Sequence, residues 1–178
     1  VTANPMYCGP KFEQYGIEER FHKIIDVWKT AWDAELGTIQ PKAVMEAGIK
    51  AFDDYPNKRH LVHFMQPHRP FIGDKGKLIE AQKEMTTRNQ IKNENNSNEG
   101  ERAWKLVDQN RITVEQAWEA YNENLEEVLP YAEKVVDYHN GKCVISSDHG
   151  NLVNEPPVPL FQAWNGHPPR TWKEKLVK

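Results

Sequence analysis

An aspartate and a histidine stand on adjacent residues, Asp148 and His149, within the run Ser146–Asn151. A carboxylate oxygen with an imidazole nitrogen is a donor pair that suits a divalent metal ion such as zinc, manganese or calcium. The pair follows an apolar run of strand length, and ligands of open α/β sheets collect beyond the carboxyl ends of strands. Gly150 would let the backbone turn there. The alternative is that Asp148 caps a turn and His149 is a solvated loop residue.

A second pair of candidate residues, His68 and Arg69, lies just past the apolar run Leu61–Met65. The planar fork of Arg69 could bind an anionic oxyacid, and His68 is placed to contact the same ligand. A surface salt bridge is the alternative role for Arg69. His63, inside the run, is interpreted as a hydrogen-bonded core residue.

A further histidine, His167, lies in the proline-rich stretch Trp164–Pro169. Taken alone, a histidine in such a loop is usually a surface residue. Neighbouring parallel strands would bring their carboxyl ends side by side. The strand end with Asp148 and His149 and the strand end with His68 and Arg69 therefore predict one shared site.

Apolar spacing and capping signals predict the elements that would position these residues. The predicted helices are Ile17–Leu36, Pro41–Tyr55 and Thr113–His139, and the predicted buried strands are Leu61–Met65 and Cys143–Ser147. Helix, tight turn and strand in that order indicate an α/β fold with a mostly parallel sheet flanked by helices, in one domain over residues 1–178. The asparagine-rich residues 82–102 offer little to bury and are predicted to form a polar insertion or lid.

Composition narrows the classes of partner. The 178 residues are 38% hydrophobic and 28% charged, so a core can form. A net charge of −3 leaves no basic excess for nucleic acid. No apolar run is long enough to span a membrane, and two cysteines, Cys8 and Cys143, are too few for a disulfide scaffold and leave the compartment open. The chain begins at Val1 in a run that looks like a strand entering a turn, which suggests a start inside a longer protein.

Three ordered segments resemble motifs of the alkaline phosphatase superfamily, which includes sulfatases, nucleotide pyrophosphatases and cofactor-independent phosphoglycerate mutases. Ser147–Asn151 resembles the metal-binding turn of that superfamily. Gln66–Phe71 resembles the Lys-Pro-His-x-Pro-Phe segment of sulfatases, and Gly166–Pro168 is similar to a later segment that contacts metal or substrate. The helix and strand that lead into Asp148 look like archaeal sulfatase-like proteins in particular.

The resemblance implies a role for each matched residue. Asp148 and His149 would hold one divalent ion, and His167 would contribute to a second ion or to the charged oxygens of the substrate. His68 would contact the transferred phosphate or sulfate, or serve as a metal ligand where the family has one.

Two departures from the family pattern matter. Gln66 stands where sulfatases usually have lysine, which removes a positive charge from the expected sulfate pocket. The family places its nucleophile and an aspartate ligand upstream of every matched segment. Cys8 is followed at position 12 by Phe12 rather than by the arginine of the sulfatase cysteine motif, so no catalytic nucleophile is identified.

These observations support hypotheses from different classes. In the first, the chain is the C-terminal part of a metal-dependent phosphoester or sulfoester hydrolase or transferase that acts on an anionic ester. In the second, it is a non-catalytic binding module derived from that fold, whose missing strands another chain supplies. The expected partners also include a further copy in a homo-oligomer or a missing N-terminal segment. In the third, the chain is an α/β domain with an unrelated function, and the aspartate and histidines have no role in it.

Overall fold

The structure, a computed structural model, describes residues 1–8, 15–79, 103–150, 152–155 and 164–166. The helices are α1 (Val27–Thr30), α2 (Pro41–Asp54), α3 (Asp74–Lys77), α4 (Ala103–Asp108) and α5 (Val114–Tyr138), with 3-10 turns at Pro5–Cys8 and Glu18–Arg20. The strands are β1 (Trp32–Asp33), β2 (Thr38–Ile39), β3 (Leu152–Glu155) and β4 (Trp164–Gly166). The segment predicted as a lid, residues 82–102, lies outside the described residues.

Helix α5 begins where the capping signals predict. Oγ1 of Thr113 accepts a hydrogen bond from the N–H of Gln116 at 3.2 Å, and Oε1 of Gln116 accepts one from the N–H of Thr113 at 2.9 Å. Each side chain therefore satisfies a backbone N–H group that the first helical turn leaves unpaired. The predicted helix is confirmed and ends at Tyr138. In the described ranges, no helix has both the length and the apolar character needed to cross a membrane.

The predicted helix over Pro41–Tyr55 is also confirmed. It is helix α2, and it packs against the second half of α5. Pro41 occupies its first turn, where the missing N–H group costs nothing. A Cβ placed on Gly48 would lie 3.8 Å from Val135, so the two helices approach closely at this glycine. Near the ends of the helices, Oη of Tyr138 donates a hydrogen bond of 2.8 Å to the carboxylate of Asp53.

Two apolar clusters form the core. The first lies around the first half of α5 and contains Phe71, Ile79, Ala103, Leu106, Ala117 and Ala120. The second lies beside α2 and contains Ala3, Val27, Ile39, Val44 and Met65. Because α5 packs on α2, α3 and α4, it connects the two clusters and fixes the segments that run between them.

The predicted helix over Ile17–Leu36 is wrong. This stretch contains the turn at Glu18–Arg20, the short helix α1 and strand β1. The reason is a tertiary interaction: the N–H of Thr2 donates to the carbonyl oxygen of Ile25 at 3.0 Å, and the N–H of Val27 donates to that of Thr2 at 3.0 Å. Main-chain groups that form these bonds cannot also form the hydrogen bonds of a helix. Tertiary context therefore overrides helix propensity in this stretch.

The expected mostly parallel sheet flanked by helices is also wrong. Strand β1 pairs with β2, and β3 pairs with β4, in two separate antiparallel sheets, while helices make up most of the described secondary structure. Within the described residues, parallel pairing is confined to isolated bridges of Thr2 with Asp26 and with His63.

The error in the expected sheet comes from two apolar runs that were predicted to be buried strands and are not. Leu61–Met65 contributes a single bridge, at His63, and residues 142–147 have no regular secondary structure. Val144 and Ile145 are 82% and 58% exposed. An apolar run indicates that a strand would be stable once paired, but it carries no information about whether a partner strand exists.

Candidate functional site

Asp148 and His149 lie at the end of segment 142–147 and face each other. Nε2 of His149 is 3.5 Å from Oδ2 of Asp148, and the Asp148 side chain is 83% exposed. A Cβ placed on Gly150 would meet no atom of the described residues within 4 Å. Solvent therefore reaches the pair, and there is open space beside it. Among the described residues, Asp148 makes no hydrogen bond to a turn backbone, while the pair lies in an irregular stretch that solvent reaches, as the alternative of a solvated loop also expects.

The hydrogen bond of the His149 ring identifies the nitrogen that can bind a metal. Nδ1 lies 2.9 Å from the carbonyl oxygen of Gly150. Because a carbonyl oxygen only accepts hydrogen bonds, Nδ1 carries the proton in the neutral ring, and the lone pair is on Nε2. That nitrogen is the one facing Asp148. Histidines that bind metals usually donate their other ring N–H group in this way.

His63 has a neighbour that the sequence did not suggest. Its Nδ1 lies 3.2 Å from Oγ1 of Thr2 and the residue is partly buried, which agrees with its interpretation as a hydrogen-bonded core residue. Burial lowers the pKa of His63, and the negative charge of Asp148 acts in the opposite direction. Asp148 is therefore within electrostatic reach of His63. No local pattern could reveal this relation, because the residues are distant in sequence.

A buried asparagine of α5 holds the turn that carries His68 and Arg69. Nδ2 of Asn124 donates to the carbonyl oxygens of Pro67 at 3.0 Å and of His68 at 3.2 Å, and its Oδ1 accepts from the N–H of Ile72 at 3.0 Å. Asn124 has no exposed surface, and one side chain thus satisfies three backbone groups. The sequence analysis did not identify it. The signal available was a polar residue on the apolar face of α5.

Within this turn, His68 and Gln66 face different surroundings. His68 is exposed, and its Nδ1 lies 2.6 Å from the carbonyl oxygen of Arg69. Gln66 is only 5% exposed, and its Nε2 donates to the carbonyl oxygen of Ile39 at 3.1 Å. The glutamine that replaces the sulfatase lysine is therefore part of the protein interior, whereas His68 is exposed and Arg69 is partly buried.

The structure shows how the described candidate residues lie relative to one another. Asp148 and His149 contact each other, and the charge of Asp148 acts on His63. In the described parts of the chain, no three His, Cys, Asp or Glu side chains are grouped so as to hold a metal ion, so His68 is not joined to the pair in such a group. The remaining predicted ligand, His167, lies outside the described residues.

Comparisons with protein-family models, with curated proteins and with solved structures found no match to this chain. The resemblance to the alkaline phosphatase superfamily therefore rests on the three sequence motifs.

Replacing Asn124 with alanine should lower the free energy of unfolding by about 3 kcal/mol, because three backbone groups of the His68 turn lose their hydrogen-bond partner. Urea denaturation measures this change. The matched control is Asn122→Ala, at an exposed position of the same helix, which should change the free energy by less than about 0.5 kcal/mol. Equal, small effects of the two substitutions would show that Asn124 does not hold the turn.

The pKa of His63 should lie below its ordinary value of 6.5 and should fall further in Asp148→Asn, because that substitution removes a charge that raises it. NMR titration of the imidazole resonances measures both. A lowered pKa in the folded state means that the unfolded state takes up protons first. His63 therefore destabilises the fold as the pH drops below about 6.5.

Asp137→Asn, an exposed carboxylate near the end of α5, is the control for charge removal. It should leave the His63 titration unchanged. If Asp148→Asn has the same null effect, or if it raises the pKa of His63, Asp148 is not a neighbour of that ring.

Proposed function

We propose that this chain is part of a metal-dependent phosphoester or sulfoester hydrolase or transferase of the alkaline phosphatase superfamily. In this proposal Asp148 and His149 hold one divalent cation, and His167 supplies a further ligand or a contact to the substrate. His68 and Arg69 bind the anionic oxygens of the ester. The nucleophile comes from residues outside this sequence.

The spacing of the Asp148–His149 pair is the observation that carries the proposal. Zinc binds histidine nitrogen and carboxylate oxygen at about 2.0–2.2 Å, so two such ligands in tetrahedral geometry lie about 3.4 Å apart. Nε2 of His149 and Oδ2 of Asp148 are separated by 3.5 Å. Both atoms carry lone pairs when the ring is neutral with its proton on Nδ1. A cation placed between them would bind to both and remove the repulsion between these two electron-rich atoms.

The chemistry of such a site requires more than this pair. A bound cation lowers the pKa of a nucleophile and neutralises negative charge as the phosphate or sulfate group is transferred. Catalytic zinc sites use three protein ligands. The planar guanidinium of Arg69, next to His68, has the shape to bind two oxygens of a tetrahedral oxyacid, which would orient the ester.

Manganese ions provide a direct test, because their paramagnetism broadens nearby resonances. The imidazole resonances of His149 should broaden at lower Mn²⁺ concentration than those of His139, which packs on Phe52 at the end of α2. Asp148→Asn should weaken Mn²⁺ binding at His149 by roughly tenfold or more. Loss of a residue that only supports a metal ligand already costs at least roughly tenfold in affinity, and Asp148 is proposed as a ligand itself. The control Asp137→Asn should leave the affinity unchanged.

Two results would contradict the metal site: broadening of His149 no earlier than that of His139, or an unaltered affinity in Asp148→Asn. Activity gives a separate readout. With added Zn²⁺ or Mn²⁺, turnover of p-nitrophenyl phosphate and sulfate by this chain alone should be close to background. Robust turnover that is lost in Asp148→Ala would show that the chain contains a complete site, nucleophile included.

A binding module is the second candidate, and exposed apolar side chains favour it. Val144 and Ile145 are 82% and 58% exposed. In the part of the chain that the structure describes, neither residue takes part in a backbone hydrogen bond. Unpaired main-chain groups beside β-branched side chains are a surface on which a strand of another chain can add.

Sedimentation equilibrium distinguishes this candidate. If strand addition between copies occurs, the apparent mass rises with concentration, and the double substitution Val144→Lys/Ile145→Lys returns it to that of a monomer. A monomer at all concentrations that binds Mn²⁺ through Asp148 would argue against the binding module and for the hydrolase.

A further inference from the structure

A surface cavity of about 200 Å³ opens between residues 17–25, the C-terminal end of α2 and residues 58–63. Its walls include the apolar side chains of Phe21, Ile25 and Leu61. Phe21 and Leu61 are 45% and 63% exposed, so a ligand in the cavity would cover apolar surface that now faces water. Neither Asp148 nor His149 lines the cavity, although His63, on which the charge of Asp148 acts, is one of its lining residues.

The charges around this cavity have one sign. Lys23, Lys58 and Arg59 line it, whereas no aspartate or glutamate does among the described residues. All three basic side chains belong to exposed residues, and within the described ranges none forms an ion pair with a carboxylate. Lys29 differs, because it is bonded to Asp26.

This local excess of cations is notable in a chain whose net charge is −3. Apolar walls with a basic rim are complementary to a ligand that has an apolar body and an anionic group.

We propose that the cavity binds an aromatic carboxylate of about the size of a singly substituted benzoate. An apolar cavity of about 150 Å³ in another protein takes up benzene, so the slightly larger volume fits a ring with a small alkyl group. Aromatic rings line the cavity: the rings of His22 and Tyr55, 5.5 Å apart at an angle of 77°, stand with Phe21 to receive a ligand ring in edge or offset contact. The carboxylate lies at the rim, where the guanidinium of Arg59 can donate to both oxygens.

The test titrates the full chain with 4-ethylbenzoate and with 4-ethylbenzamide, which has the same shape and no charge. Chemical-shift changes in ¹H–¹⁵N spectra report the affinity and the site. The benzoate should bind at least roughly threefold more tightly than the amide, and the shifts should centre on residues 21–25 and 58–63. Equal or tighter binding of the amide, or shifts centred elsewhere, would overturn the proposal.

Variants separate the charge from the apolar walls. Lys58→Gln/Arg59→Gln should weaken benzoate binding by roughly fivefold while the affinity for the amide stays the same, a difference that a general loss of structure would not produce. Phe21→Ala should weaken the binding of both ligands. Lys42→Gln, in the first turn of α2, is the matched control and should change neither. Unaltered benzoate affinity in the double variant would overturn the proposal.

A second copy of the chain is the competing occupant of these exposed apolar walls. Sedimentation equilibrium of the unliganded chain, with Leu61→Gln as the variant, distinguishes the two. If the chain dimerises and the variant does not, the cavity is a contact between copies and the proposal is wrong. If Leu61→Gln leaves the apparent mass unchanged and weakens benzoate binding, the cavity is a ligand site.

Discussion

Backbone hydrogen bonds of Val1–Ala3 are the constraint on which the second core cluster depends. Thr2 bonds to Ile25 and Val27 on one side, while on the other the N–H of His63 donates to Val1 at 3.0 Å and the N–H of Ala3 donates to His63 at 3.1 Å. This short stretch therefore prevents a helix in the region around Ile25 and fixes His63 beside it. The cavity with the basic rim lies between the two segments that Val1–Ala3 joins, one around Ile25 and the other around His63. One set of main-chain hydrogen bonds thus determines the path of the chain around Ile25, the position of the cavity and the position of His63, on which the charge of Asp148 acts.

The two sides of the proposed metal and ester site differ in how they are held. The turn with His68 and Arg69 is bonded to a fully buried amide on α5, so its backbone has a defined position. Asp148 and His149 follow a segment without regular structure and are held by contacts between neighbouring residues. Metal binding and local folding are thermodynamically linked, so a cation at Asp148 and His149 would stabilise the conformation in which these two side chains meet.

What the sequence could predict follows from the range of the interactions involved. Helices α2 and α5 were predicted because Pro41 and the Thr113 capping box act within one turn of the chain. The parallel sheet and the helix after Ile17 were wrongly predicted because both depend on pairing between distant segments, which apolar spacing does not encode. The contact between Asp148 and His149 could be predicted because the two residues are adjacent in sequence, and their role as metal ligands stays a prediction. Asn124 and the electrostatic relation of His63 to Asp148 arise only in the folded chain.

Anomalous diffraction at the zinc absorption edge, from crystals soaked in Zn²⁺, shows whether Asp148 and His149 share one cation, as we propose. A peak is expected between Oδ2 of Asp148 and Nε2 of His149, about 2.1 Å from each atom. Zinc bound at other histidines, with no peak between these two atoms, would contradict it.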